Sequence, residues 1–155
     1  MMSPPDRWKT IEKLRLRKRD EAAQALEQVH LAIQMLRDQA AEIQRDREQS
    51  RNNRQQLQTG QIHVANILET QRFDLVLDAQ LAQLEDQSQK IEQERVRRES
   101  KLIAAQQDLE AVRKLQKKTA DRNYATSLLK AQSELDNWST LRHTLDSHSH
   151  SQNTE

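Results

Sequence analysis

The chain has no cysteine, one glycine, two prolines and only 3% aromatic residues among its 155. Without cysteine there can be no disulfide and no thiolate-held metal, and a reducing compartment suits the composition. Folds rich in tight turns need many more glycines and prolines than these. At 34% hydrophobic residues the chain lies below the roughly 45–50% usual for a compact domain, so a thin seam between helices fits better than a broad core. No window approaches the ~20 consecutive apolar residues of a membrane span. The start, "MMSPPDRW", lacks the apolar stretch of a secretory signal, and the chain reads as soluble and cytoplasmic.

Charge is abundant instead. Lys and Arg number 25 against 24 Asp and Glu, a formal net charge of +1 that hides a strongly uneven distribution. The stretch "WKTIEKLRLRKRD" carries Lys13, Arg15, Arg17, Lys18 and Arg19, interrupted by Trp8, Ile11, Leu14 and Leu16. A second cluster, "VRKLQKKTADR", supplies Arg113, Lys114, Lys117, Lys118 and Arg122. From Gln61 to Glu94 the sign reverses, with Glu69, Asp74, Asp78, Glu85, Asp86, Glu92 and Glu94 against Arg72 and Lys90.

The apolar residues follow a helical rhythm. Ala22, Leu26, Val29, Ile33, Leu36, Ala40 and Ile43 step alternately by four and three, which keeps one stripe facing a partner helix. Leu77, Leu81, Leu84 and Ile91 share a register that resumes at Leu102, Ala105, Leu109 and Val112, with Arg95 and Arg98 at seam positions between. A later series, Tyr124, Leu128, Ala131, Leu135 and Trp138, is equally regular but out of phase. The expected fold is all-α, a long antiparallel two-helix coiled-coil hairpin with a short helical segment near its apex.

Two phase slips, between Leu14 and Ala22 and between Val112 and Tyr124, would compensate if they faced each other. That pairing gives arms of about 6–58 and 77–145 and an apex of about 59–76, with a short segment from Ile62 to Leu75. A sharp turn at Gly60, favoured by its ease in the left-handed conformation, would leave roughly 30 residues unpaired, about 45 Å at ~1.5 Å per residue. Residues 1–5 and 146–155 read as disordered flanks. The two basic clusters then lie at one level, forming a collar near the open end, with the acidic region towards the apex. Phe73 and Leu77 stand at that apex, either capping it or available for docking.

Catalytic patterns are missing. His30, His63 and His143 have no carboxylate or cysteine at ligand spacing, "HSHS" is a weak metal motif, and one glycine cannot build a phosphate loop. The chain reads as a non-enzyme without metal or cofactor.

The sequence resembles the FliJ family of flagellar export proteins, related to the YscO-type stalk proteins of virulence secretion. The resemblance is carried first by Trp8, Lys9, Ile11, Leu14, Leu16, Arg17, Asp20, Glu21, Ala22 and Ala23. Near the other end Leu115, Lys117, Lys118, Tyr124, Glu134, Leu135 and Asp136 match the family's basic run, tyrosine and Glu-Leu-Asp motif. Trp8 replaces the usual phenylalanine, and Asn137 stands where an acidic residue is common. The resemblance implies an antiparallel coiled coil whose terminal end enters the hexameric export ATPase ring. It also implies contacts with the membrane-embedded export gate and with export chaperones. On that basis the collar, Lys13 to Arg19 and Arg113 to Arg122, would face acidic loops of the ring. Phe73, Leu77, Gln39 and Ile43 would be gate-facing candidates, because the family's gate contacts lie in its middle region. The expected location is the cytoplasmic side of the inner-membrane export apparatus, without membrane insertion. The competing readings are a free-standing coiled-coil chaperone or scaffold, and a binder of nucleic acid or anionic membrane. The acidic region weighs against nucleic acid, since phosphate would repel it.

Overall fold

The computed structural model describes residues 4–61 and 63–151, with side chains from 7 to 61 and 63 to 146. It contains two helices, α1 (Pro4–Leu57) and α2 (Val64–Ser151), and no strand among the described residues. Pro4 and Pro5 open α1 in its first turn, where a missing amide hydrogen costs nothing. Neither helix contains glycine, and no internal proline breaks them.

The chain divides into two compact units, residues 13–108 and residues 1–12 with 109–155. The first is an antiparallel hairpin of the expected class. Its register is fixed by Arg15 on Asp108, Arg98 on the Ala25 carbonyl, Arg47 on Asp78 and Ser50 on Asp74. Val29 and Leu77 are its buried apolar residues, and Ala22, Leu26, Ile33, Leu36, Ala40 and Ile43 face inward beside them as the spacing predicts. Facing them on α2 are Leu81, Leu84, Ile91, Leu102 and Ala105. Arg98, a cation at a seam position, donates to the Ala25 carbonyl at 2.7 Å, while Arg95 turns to Glu92 and Glu99.

In the second unit the start of α1 lies antiparallel to α2, with Leu109 and Val112 buried. Glu12 accepts hydrogen bonds from Arg113 Nε at 2.9 Å and from Gln116 Nε2 at 3.2 Å. Trp8 lies in a groove with Thr119, Ala120 and Asn123.

Three expectations change. Helix α1 ends at Leu57 and α2 begins at Val64, so the segment expected to cap an apex of 59–76 is, from Val64 on, simply the beginning of α2. The reason is that α2 keeps one unbroken seam from Ile67 to Thr119 in steps of three and four, so no facing slips are needed. Gly60 does not adopt a left-handed conformation, although the turn falls where it stands. Helix α2 therefore runs past the start of α1, and every described residue from Asp121 to Asp146 is exposed. The next seam positions there, Asn123, Thr126, Lys130 and Ser133, are all polar. Of the flanks expected to be disordered, Pro4, Pro5 and residues 146–151 are helical, whereas residues 1–3, Ile62 and 152–155 lie outside the described residues.

Candidate functional site

The basic residues are sorted by helix geometry. On α1 the inward positions near the start are Trp8, Glu12, Arg15, Leu16 and Arg19, whereas Ile11 and Leu14 are exposed. The expected apolar edge of "WKTIEKLRLRKRD" is thus only partly used, and charged residues fill much of the seam. Arg15 is tied to Asp108 at 2.8 Å and Arg19 to its neighbour Asp20 at 2.8 Å. Lys13 and Arg17 stand two residues either side of Arg15, which turns both away from α2. Lys18 is exposed as well, and none of these three has an ion pair with a described residue.

The same sorting occurs on α2, within the other unit. Arg113 is held by Glu12, while Lys114 and Lys118 flank the inward Gln116 and face outward. Lys117 and Arg122 are exposed, and these four cations have no ion pair with a described residue. Each helix thus carries a patch of uncompensated cations on the side away from its seam. The Arg113 guanidinium, followed by the Gln116 amide, holds the Glu12 carboxyl below its ordinary value of 4.5.

The gate-facing candidates separate into two kinds. Gln39 and Phe73 are exposed, the latter at 49%. Leu77 is only 4% exposed and is committed to the seam, while Ile43 faces inward part-buried. Phe73 borders a shallow groove with Asp46, Ser50, Asn53 and Glu69.

Periodicity in apolar letters missed a polar cluster beside this groove. Ser50, 5% exposed, donates to Asp74 at 2.6 Å, and Arg54 also pairs with Asp74. Arg47 reaches Asp78 at 3.0 Å. The signal was available, since Arg47, Ser50 and Arg54 continue the three-and-four rhythm of Ile43 in polar residues. These pairs neutralise part of the acidic excess that α2 shows by itself. Among the described residues there is no cluster of three or more side chains suited to a metal ion, and no helix long and apolar enough to cross a membrane.

The family model for the flagellar FliJ protein matches residues 5–146. The chain belongs to the FliJ family. It is thereby a flagellar, export-related protein, and the family is a non-enzymatic component of that export. No curated protein and no solved structure matches the chain. The FliJ match spans both basic patches, the Phe73 groove and the exposed part of α2 up to Asp146.

Proposed function

We propose that this FliJ-family chain is a non-catalytic stalk or coupling component of a bacterial flagellar, type III, export apparatus. Its terminal end enters the hexameric export ATPase ring, another surface meets the export gate membrane protein, and it also handles export chaperones. The observation that carries this reading is the pair of outward, unpaired cation patches: Lys13, Arg17 and Lys18 on α1, and Lys114, Lys117, Lys118 and Arg122 on α2. Like charges one helical turn apart repel and do not stabilise a helix. A complementary acidic protein surface gives them a role, and steers association as well. Arg15 and Arg113 are already engaged across the helices and act by holding them, and Arg19 is engaged by its neighbour Asp20. Gln39 and Phe73 remain as gate-facing residues. The chain works without a cofactor, bound to the membrane's cytoplasmic face only through its partners, and the partners are proteins and not nucleic acid.

The test is a binding assay between the purified chain and its export ATPase. Replacing Arg17, Lys117 and Lys118 together by glutamate abolishes ring binding while the circular dichroism spectrum stays helical. Undiminished binding by that variant overturns the assignment of the patches.

A second reading, a coiled-coil chaperone or scaffold, draws support from the exposed apolar residues of α2 between Tyr124 and Leu145. Suppression of client aggregation in the absence of any export component supports it, and loss of that effect with Leu135→Asp assigns it to this stretch.

A further inference from the structure

Beyond Asn123, α2 carries a second seam that no described residue of the chain covers. Tyr124, Leu128, Ala131, Leu135, Trp138, Arg142 and Leu145 step by four and three without interruption. Trp138 is 73% exposed, and Tyr124, Leu128, Leu135 and Leu145 are exposed too. Scattered apolar residues on a surface need no explanation, but a sustained heptad stripe is what one helix presents to another. The start of α1 does not supply that helix, because it is already seated against residues 109–123.

We propose that this stripe pairs with the same stripe of a second copy of the chain, antiparallel, with Ala131 of each copy opposite Leu135 of the other. This goes beyond the ring-and-gate reading and does not depend on it.

Three features favour a second copy in this orientation. The first is size. In an antiparallel coil the two alternating seam positions face each other, so this register sets Leu128 opposite Trp138 and small Ala131 opposite Leu135. Large meets small at the centre, as close packing requires. The second is charge. The same register places the Arg142 guanidinium against the Tyr124 ring, a favourable cation–π arrangement, whereas a parallel pair would set Arg142 against itself. Between Asp121 and Leu145 three carboxylates (Asp121, Glu134, Asp136) balance three cations (Arg122, Lys130, Arg142), so no net charge opposes the approach of two copies. Glu134 meets its own copy only at the exposed rim, where water and salt weaken the repulsion.

The third is length. In this register Tyr124 of each copy lies opposite Arg142 of the other at the two ends. One copy's uncovered stretch thus spans its partner's uncovered stretch, and the pairing ends where α1 begins to cover α2 at Asn123. Three heptads are enough for a reversible pair and too few for a permanent one. A protein surface that engages this stripe would therefore compete with self-pairing.

Sedimentation equilibrium of the full chain tests the proposal, together with cross-linking. A monomer–dimer equilibrium with a micromolar dissociation constant is expected. Leu135→Asp, at a residue exposed in the single chain, should raise that constant about a hundredfold or more without loss of helix signal. Because the chain has no cysteine, Tyr124→Cys and Arg142→Cys variants report orientation cleanly. An oxidised mixture of the two should give a covalent dimer, while either alone should stay mainly monomeric. A monomeric mass into the high micromolar range overturns the proposal. So does cross-linking of either variant alone as efficiently as the mixture, or a dimer indifferent to Leu135→Asp.

Discussion

Leu77 and Phe73 stand one helical turn apart on α2 and are used in opposite ways. Leu77 fills the seam, so Leu77→Ala should destabilise the chain by about 2–4 kcal/mol in urea unfolding, through lost burial and the cavity it leaves. Phe73 is half exposed, and Phe73→Ala should cost less than about 1 kcal/mol. A defect in export from Phe73→Ala would then be a loss of contact and not of fold. Acid sensitivity is also set by single residues. Hydrogen bonds from Arg113 to Glu12, from Arg95 to Glu92 and from Arg98 to Glu94 hold these carboxyls below their ordinary value. A depressed carboxyl stabilises the fold above its unfolded value, near 4.5, and that contribution is lost as pH falls through the lowered folded value. Melting temperature should therefore fall on acidification below about pH 4.5, and Glu12→Gln should flatten part of that fall. An unchanged acid profile in the variant would show that the Arg113 contact does not contribute. Glu92 is exposed and Glu12 and Glu94 are only part-buried, so each effect should be small.

At the scale of the helix, the apolar rhythm was legible and its ends were not. The seams from Ala22 to Ile43 and from Leu77 to Val112 follow from spacing alone, because only inward positions lose contact with water. Facing the two phase slips against each other places the apex beyond its observed position between Leu57 and Val64, because polar residues carry the seam through those slips. In α1 the pairing continues through Glu12, Arg15 and Arg19, whose cross-helix or local ion pairs replace apolar contacts, while Ile11 and Leu14 are left outside. Arg47, Ser50 and Arg54 extend it the same way near the turn. In α2 the pairing does stop, and the apolar residues from Tyr124 onward belong to a different surface. A chain ending at Asn123 should accordingly keep the melting transition of the full chain at dilutions where only monomer is present. Gly60 has open space where a Cβ would project and no left-handed backbone. Gly60→Ala should be neutral or stabilise by up to about 1 kcal/mol, through reduced freedom of the unfolded chain. Clear destabilisation on thermal melting would show that the turn does need glycine's freedom.

For the molecule as a whole, a formal charge of +1 conceals a division of labour among its cations. Arg15, Arg47, Arg54, Arg98 and Arg113 reach across between the helices, while Lys13, Arg17, Lys18, Lys114, Lys117, Lys118 and Arg122 face solvent without an ion pair to a described residue. The sequence showed both basic clusters but not which members were free, because that depends on which positions face the seam. If the free group binds the ATPase as proposed, that binding is electrostatic, and affinity should fall steeply as salt rises. The most direct test of the account is the hydrolysis rate of the export ATPase, titrated with this chain at physiological ionic strength. Stimulation that saturates near one chain per hexamer, and is lost when Arg17, Lys117 and Lys118 are all glutamate, is the predicted result. An active ATPase that shows no response to a fully helical chain would contradict the proposed coupling to the ring.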